Sequence, residues 1–590
     1  MMCLYLLMFA SPPEWQWPID TQHGLTATFA EYRSDHFHTG LDFSTAGKEG
    51  LAIHAAANGR VFKVRAQERG YGKSIYIRHS DGWITVYAHL AAFGPKITDA
   101  ITSAGYDPSQ IFGTLTLELD LSARDLLAYS GESGAGLPHL HFEVRDRNNR
   151  PVDPLTLAFP PLNLSVQTEL EYVTLAPLNA KGKVNGQPLP TRISKFPAHI
   201  QASGKMALAL AVAIRDESGN TLGPRSLTVQ ANGQVIKQWH PIQIDFEHYT
   251  DAGSIFDQAH SGFGNTRYVY CFDERTNRMP GWISEVLDVT SKTILHIEVG
   301  GIQGTKQFEL TLDPQAPVSP WAPVIDKPSI QATSFMINGW LDQISIGVSV
   351  DGTLMNQDLV TALTAGEQRL FQVTAPPVPW TWRTDSGGLS RWIGALPGKS
   401  QYTCPIGDFT LTYEAKEPLP DMLVWLEPAD PRIQQDALNY LSPVIRFAKE
   451  GYPTGGLSVS TPRTKPNSGF FAWSYTRGKW VYWQTTDEQV LRAGVDYSVP
   501  LVIAQDTAPP TIGRPKTHNY FSGRRKVVPV RDLGSGILWS DITIAYQTRV
   551  IKPETDPDRG WVLLEENWDD AIQITVSDRL GNTASATFQP

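Results

Sequence analysis

A chain of 590 residues, 41% hydrophobic and 19% charged, is too long for one core and too apolar for a disordered polymer; three to five domains are expected at ~100–200 residues each. Its formal charge of −10, with basic clusters no longer than SGRRKVV (522–528), excludes nucleic acid as a partner, because phosphate binding needs clustered Lys and Arg. No run approaches the ~18 consecutive apolar residues of a membrane-spanning helix. Cysteine is sparse: Cys3, Cys271 and Cys404 make neither a disulfide framework nor a cysteine zinc site, and lone buried thiols are expected rather than a Cys271–Cys404 pair. Gly, Pro, Trp and Tyr are abundant, and short Val/Ile/Thr runs lie between turn residues. The fold class is therefore mainly β, with β-sandwich or β-barrel domains.

The chain opens with MMCLYLLMFASPPEW, in which residues 3–10 are apolar and small residues follow. Residues 1–19 read as an N-terminal segment of secretory-signal type, with a buried first strand as the other reading. Residues 20–160 hold the chemistry. In YRSDHFHTGLDF (32–43), His38 and Asp42 are four apart with Gly40 between them. The glycine disfavours a helix, and even spacing on an extended segment puts both side chains on one side. His36 has the same parity and is a rival to His38. YAHL (87–90) carries His89, and IRHSDG (77–82) carries His79, read as structural; His54 is assigned to core or rim.

Residues 95–126 then interrupt the pattern, with a short helix and a hairpin expected beside the cleft. In GLPHLHFEVRD (136–146), His139 and His141 share one face of a strand together with Glu143, while Leu140 and Phe142 share the other. His38, Asp42 and one of the two late histidines give two nitrogens and one oxygen. Three protein ligands plus one open position mark a catalytic rather than a structural zinc site. Each fragment alone has a bland reading, since an isolated H-x-H or H-x-x-x-D is common; their conjunction is what carries weight.

Downstream, residues 161–313 alternate apolar and polar side chains, as in KMALALAVAIRD (205–216), and predict a β-sandwich. DPQAPVSPWAPVIDKP supplies a linker at 314–328. Residues 329–505 predict a further β-rich domain, with a short helix at DPRIQQDALNYLSPVIRFA (430–448). The aromatic stretch GFFAWSYTRGKWVYWQ (469–484) reads as strand packing ahead of a glycan platform. AQDTAPPTIGRP (504–515) is a second Pro-rich joint, and 506–590 forms the last β domain. IRDESGNT (214–221) and VSDRLGNT (576–583) share Asp-x-x-Gly-Asn-Thr and predict hairpin turns. With VRDLGSGI (530–537), the last domain resembles bacterial immunoglobulin-like (Ig-like) modules of cell-surface proteins.

HFHTGLDF, AIHAAANGRVFKV, GYGKSIYIRHSDGWITVYAHL and LAYSGESGAGLPHLHFEVRD occur in that order. Together they resemble the M23 (lysostaphin- and LytM-like) zinc metallopeptidases, over about a quarter of the chain, a size normal for one domain. The resemblance implies an antiparallel-sheet peptidase domain, and the sequence after it is expected to form several β-sandwich (Ig-like) domains. It implies His38, Asp42 and His141 as ligands of Zn2+, and His139 and His89 as catalytic histidines. It further implies hydrolysis of peptide bonds in peptidoglycan cross-links or stems by zinc-activated water, in a secreted, periplasmic or envelope-associated protein held there by its β domains. Some relatives lack ligands and only activate other wall enzymes, so a non-enzymatic envelope protein that binds wall peptide or regulates a hydrolase is the competing expectation. All five residues are present here. A third reading, a peptidase acting on proteins, stays open.

Overall fold

The computed structural model describes residues 14–318 apart from short stretches, the longest being 272–280. It also describes the strands between 331 and 505, and residues 506–590 apart from 521–522, 558 and 565–569. The chain is mainly β, in antiparallel sheets, as its composition requires. The first sheet contains β1 (Leu25–Ala27), β2 (Leu41–Ser44), β3 (Ala52–His54), β4 (Gly59–Ala66), β5 (Lys73–His79), β6 (Ile84–Phe93), β7 (Gly113–Leu121), β8 (Leu126–Ser130) and β9 (His139–Arg145). Its main path runs β1-β2-β9-β6-β5-β4-β7, and β8 bridges β3 and β6.

β9 explains the layering. Leu140, Phe142 and Val144 are fully buried in the core, while His139, His141, Glu143 and Arg145 point to the opposite face. β2 pairs with β9 so that Asp42 lies directly across from His141, Phe43 from Leu140 and Ser44 from His139. One register thus places apolar against apolar below the sheet and titratable against titratable above it. Gly40 permits the approach: a Cβ there would meet the Phe142 carbonyl oxygen at 2.3 Å.

The 95–126 segment differs from expectation. Pro95–Ser103 is a helix, with Ile97 and Ile101 buried in the core. The following strand, β7, forms no hairpin of its own but pairs with β4, at the end of the sheet opposite β2 and β9. The alternation in GTLTLELDL accounts for this, since Leu115, Leu117 and Leu121 supply a single apolar face that completes an open edge. Arg124 takes φ +70°, a conformation that favours glycine, and its amide donates to Ala55 O.

Residues 1–13 lie outside the described residues, but Trp15, Trp17 and Ile19 belong to the core and not to a detached leader. Both tryptophans stack on Phe159, at 5.3 and 4.1 Å between centroids, because large flat side chains close the open side of the sheet. The second sheet, from strand Val166–Pro177 to strand Thr305–Asp313, is built around the 19-residue strand Ala198–Asp216. A single apolar cluster runs from Trp15 through Phe142 and Trp239 to Leu312, so the two sheets share their interior.

The short helix expected in 430–448 is not what the described part of that segment shows. Residues 429–437 lie outside it, and Asn439–Tyr440 and Ile445–Glu450 are strands that pair with strand Pro500–Gln505. Pro443 and the β-branched Val444 and Ile445 favour extension. The aromatic stretch packs as strands: Trp473 faces Trp480 at 5.4 Å, Phe471 faces Tyr482 at 5.7 Å, and Trp480 is buried. Both Asp-x-x-Gly-Asn-Thr segments are hairpin turns, with Gly219 and Gly581 in the left-handed region. The side chains of Cys3, Cys271 and Cys404, and most of the 314–328 linker, lie outside the described residues.

Gly40→Ala should separate β2 from β9 and lower unfolding stability by ~1–3 kcal/mol, read from denaturant titration. A wild-type midpoint would contradict the tight approach.

Candidate metal centre

Three donor atoms converge on one point above the β2–β9 pair. His38 Nε2 lies 2.9 Å from Asp42 Oδ1 and 2.9 Å from His141 Nδ1, and His141 Nδ1 lies 2.8 Å from the same carboxylate oxygen. All three residues are buried. Each imidazole is held from behind. His38 Nδ1–H donates to the Thr28 carbonyl at 2.7 Å, and His141 Nε2–H donates to Glu143 Oε1 at 2.9 Å. These bonds fix the tautomers, so the nitrogens facing Asp42 are the ones with lone pairs to offer. Two lone pairs and a carboxylate at hydrogen-bond range repel unless a cation or a proton lies among them, which is the donor chemistry of a divalent metal site.

A proton on a ring can take the ion's place. Burial works against ionisation of Asp42, but His38, His139 and the hydrogen bonds from His141 and His38 hold its carboxyl well below the usual range. Burial lowers His38. His141 is raised to about 9, because its contacts with Asp42 and Glu143 outweigh its burial. Glu143, fully buried, stays ionised despite that burial through Arg145 and His141. Arg145 Nε donates to its Oε2 at 2.5 Å, Thr39 Oγ1 to its Oε1 at 2.6 Å, and the Tyr71 hydroxyl also donates to Oε1.

Two further histidines flank the cluster. His139 Nε2 is 3.8 Å from Asp42 Oδ1, and its Nδ1–H donates to Leu137 O at 2.7 Å. The His89 ring centroid is 4.6 Å from that of His139 and 5.7 Å from that of His141, and its Nδ1–H donates to Ser133 O at 2.9 Å. Both rings are thereby anchored through Nδ1. His89 has φ +59° at a bulge where Ala88 and His89 together face Ser74, a costly conformation for a non-glycine residue. Burial, with His139 and His141 nearby, pushes its imidazole down to about 3, so it is neutral at ordinary pH.

The other histidines lie elsewhere. His36 stacks on Tyr249 at 4.6 Å and is outside the donor cluster. His79 is buried, bonded to Asn58 O and Thr85 Oγ1, in the structural role expected of it. His54 is half-buried in β3.

Sequence reasoning missed a hub one layer behind the donors. Glu31 is almost fully buried and accepts from Thr28 N at 2.7 Å, Thr28 Oγ1 at 2.8 Å, Gly223 N at 2.7 Å, Tyr268 Oη at 2.8 Å and Arg33 Nη1 at 3.3 Å. Thr28 holds His38, and Arg33 Nη2 reaches Asp42 Oδ2 at 3.3 Å. Gly223 and Tyr268 belong to the second sheet region, so that region braces two of the three donors. Parity had already put Glu143 on the histidine face, and it could have added Arg145; Glu31 had no such signal, since the partners that bring it to the site from the second sheet region are 192 and 237 residues away.

The model of peptidase family M23 matches residues 36–104, which include His38, Asp42 and His89. The N-terminal domain belongs to peptidase family M23. The "DD-carboxypeptidase/endopeptidase Mpg" of Neisseria gonorrhoeae is 33% identical over 124 residues, 21% of this chain and 23% of that protein. The "Murein hydrolase activator NlpD" of Escherichia coli is 30% identical over 141 residues, 24% of this chain and 30% of that one. A solved zinc-containing peptidase from Vibrio cholerae aligns at 25% identity over 25% of this chain and 41% of its own, with a TM-score of 0.20. The chain thus spans between a fifth and a third of the length of the curated relatives it matches, within the M23 domain.

Tyr268→Phe removes a donor from buried Glu31 and should weaken metal affinity ~10-fold in chelator competition, as loss of an outer-shell partner does. Unchanged affinity would mean that the second sheet region does not brace the donors.

Proposed function

We propose that the M23 domain is a zinc-dependent endopeptidase that hydrolyses peptide bonds of peptidoglycan, in cross-links or stem peptides. The convergence of His38 Nε2, Asp42 Oδ1 and His141 Nδ1, with each ring's far nitrogen already bonded, is the observation that carries this reading. Those three residues would hold the ion, and the donor set of two imidazoles and one carboxylate suits zinc with a position left for substrate. When bound, zinc polarises a carbonyl and lowers the pKa of a water to ~7.

The remaining work falls to this chain. Asp42, ionised across the neutral range, supplies the negative charge that holds the ion. His139 and His89 flank the donor set with Nδ1 tied to backbone carbonyls, so that Nε2 would serve in proton transfer and in stabilising an oxyanion. His89 is neutral with its proton on Nδ1, so its Nε2 offers a lone pair that can accept a proton. The bulge that twists His89 out of the strand and its bond to Ser133 O keep that ring from turning away. Glu143, locked by Arg145, Tyr71 and Thr39, fixes the orientation of His141.

Wall peptide as substrate is supported by the relatives' names, Mpg as a DD-carboxypeptidase/endopeptidase and NlpD as a murein hydrolase activator, and the same names support a location in the envelope or outside the cell. The described helices include none long and apolar enough to cross a membrane. The two sheets of residues 506–590 enclose Val528, Ile544, Val562 and Ile574, an arrangement that supports an Ig-like module able to anchor the enzyme. Similarity to NlpD supports a second reading, a non-catalytic activator; the complete donor and histidine set favours an enzyme.

Purified wall fragments and a Gly-rich protein incubated with the zinc-loaded chain, then read by mass spectrometry, should show cut peptide bonds in the wall alone. His89→Ala should retain one zinc per chain and lose at least ~100-fold in turnover, whereas His141→Ala should lose the metal. Clearing of walls by the His89 variant at the wild-type rate would refute its role, and zinc binding without any cleavage would leave the activator.

A further inference from the structure

A second cluster of donors lies at the far end of the chain. Asp506, Asp532 and Asp578 each offer a carboxylate oxygen, and these oxygens lie within 4.8 Å of one another. Asp506 and Asp578 are buried and Asp532 is half-buried. Three carboxylates brought this close out of water repel strongly unless something positive sits between them. Among the described residues, no Lys, Arg or His bonds to any of them. Asp506 accepts from the amides of Ala508 at 3.2 Å and Ser535 at 2.6 Å, and Asp532 from those of Gly534 at 3.0 Å and Gly536 at 2.6 Å. Asp578 accepts from the amides of Leu580 and Asn582 and from Asn582 Nδ2. Main-chain dipoles and one amide carry no net charge. The mutual repulsion is visible in Asp532, which burial, with Asp506 and Asp578 adding to it, raises to about 6.

A second observation comes from Ser535. Its amide is bonded to Asp506, yet its hydroxyl is buried without a hydrogen-bond partner. Covalent geometry keeps that oxygen within about 4 Å of an amide nitrogen that itself lies 2.6 Å from the Asp506 carboxylate. A buried, unpartnered hydroxyl on the residue whose amide binds Asp506 is a further hard oxygen donor within reach of an ion held there. The backbone is packed to suit: a Cβ on Gly534 would meet Asp506 Oδ2 at 2.1 Å.

Turn chemistry does not account for the cluster. Asp216 makes the same turn as Asp578, accepting from Asn220 N at 2.8 Å and Asn220 Nδ2 at 2.9 Å, and it belongs to no three-donor group among the described residues. Asp506 and Asp532 are therefore additions to a turn that closes without them. Their place is also informative. Asp506 opens the Pro-rich joint between the 439–505 strands and the last module. Asn582 of that module donates to Asp506 O at 3.1 Å and accepts from Asn467 Nδ2 at 2.9 Å, and Leu580 packs against the cluster of Phe471 and Trp480.

We propose that Asp506, Asp532 and Asp578, with the Ser535 hydroxyl, bind a divalent, oxygen-seeking cation of the calcium class that fixes the last module to the strands before it. Oxygen-only donors with several carboxylates select a hard cation, and irregular coordination favours calcium over magnesium. The site is separate from the histidine centre and uses none of its residues. Once bound, the ion removes the repulsion among the carboxylates and ties residue 506 of the joint to two loops of the module.

The full chain, loaded with one zinc, is titrated with CaCl2 by calorimetry. One calcium per chain should bind, with a Kd of roughly 10⁻⁴ M, the range of extracellular modules. Asp532→Asn should weaken binding at least ~10-fold, while His141→Ala keeps the wild-type calcium isotherm. No calcium uptake by the wild type, or a wild-type isotherm in Asp532→Asn, overturns the proposal. Should Asp532→Asn fail to fold, limited proteolysis of the wild-type chain decides. Cleavage between 505 and 516 should be fast in a calcium-selective chelator and at least ~10-fold slower with CaCl2, and equal cleavage in both overturns it.

Discussion

A carboxylate oxygen and two imidazole nitrogens meet because strand Leu41–Ser44 pairs with strand His139–Arg145 in one register. Asp42 faces His141 across that pair, and His38 is brought over it by the turn at Gly40. A slip of one residue would send Asp42 into the apolar layer and Phe43 out of it, so the hydrophobic face enforces the alignment of the donors. The energy that holds the site is in this sense drawn from the core: fully buried Leu140, Phe142, Phe43 and Leu41 set the register, and the polar face inherits it.

Around that point the protein invests in orientation. Both donor rings have their rear nitrogens bonded, both flanking rings are tethered through Nδ1 to carbonyls, and His89 is held in a strained backbone conformation. The brace extends past the M23 domain. Glu31 collects donors from Gly223 and Tyr268, and the last module reaches the same neighbourhood through Arg559, which bonds to Glu49 at 2.5 Å and lies 3.4 Å from Glu132, next to the Ser133 that anchors His89. The β regions downstream are thus in contact with the structure that positions the histidines.

What could be read in advance was whatever depends on local periodicity. The two faces of HLHFEVR, the rejection of a helix at HFHTGLDF and the two Asp-x-x-Gly-Asn-Thr hairpins follow from spacing of 2 or from turn chemistry, and the structure has them. The choice of His38 over His36 needed the family pattern, because parity alone allows both. Unreadable features were those set by distant partners. Strand Gly113–Leu121 was expected to fold back beside the cleft, yet it found a free edge on Gly59–Ala66. Trp15 and Trp17, set in an apolar opening segment, became core because Phe159 lies across from them. Glu31 became part of the site only because residues 223 and 268 come to it.

The central claim is that one metal ion sits among His38 Nε2, Asp42 Oδ1 and His141 Nδ1. Anomalous diffraction from crystals of the protein, recorded on either side of the zinc absorption edge, tests it most directly. A single strong peak among those three atoms, present above the edge and weak below it, is the predicted result. An absent peak, or one centred elsewhere in the chain, would contradict the account.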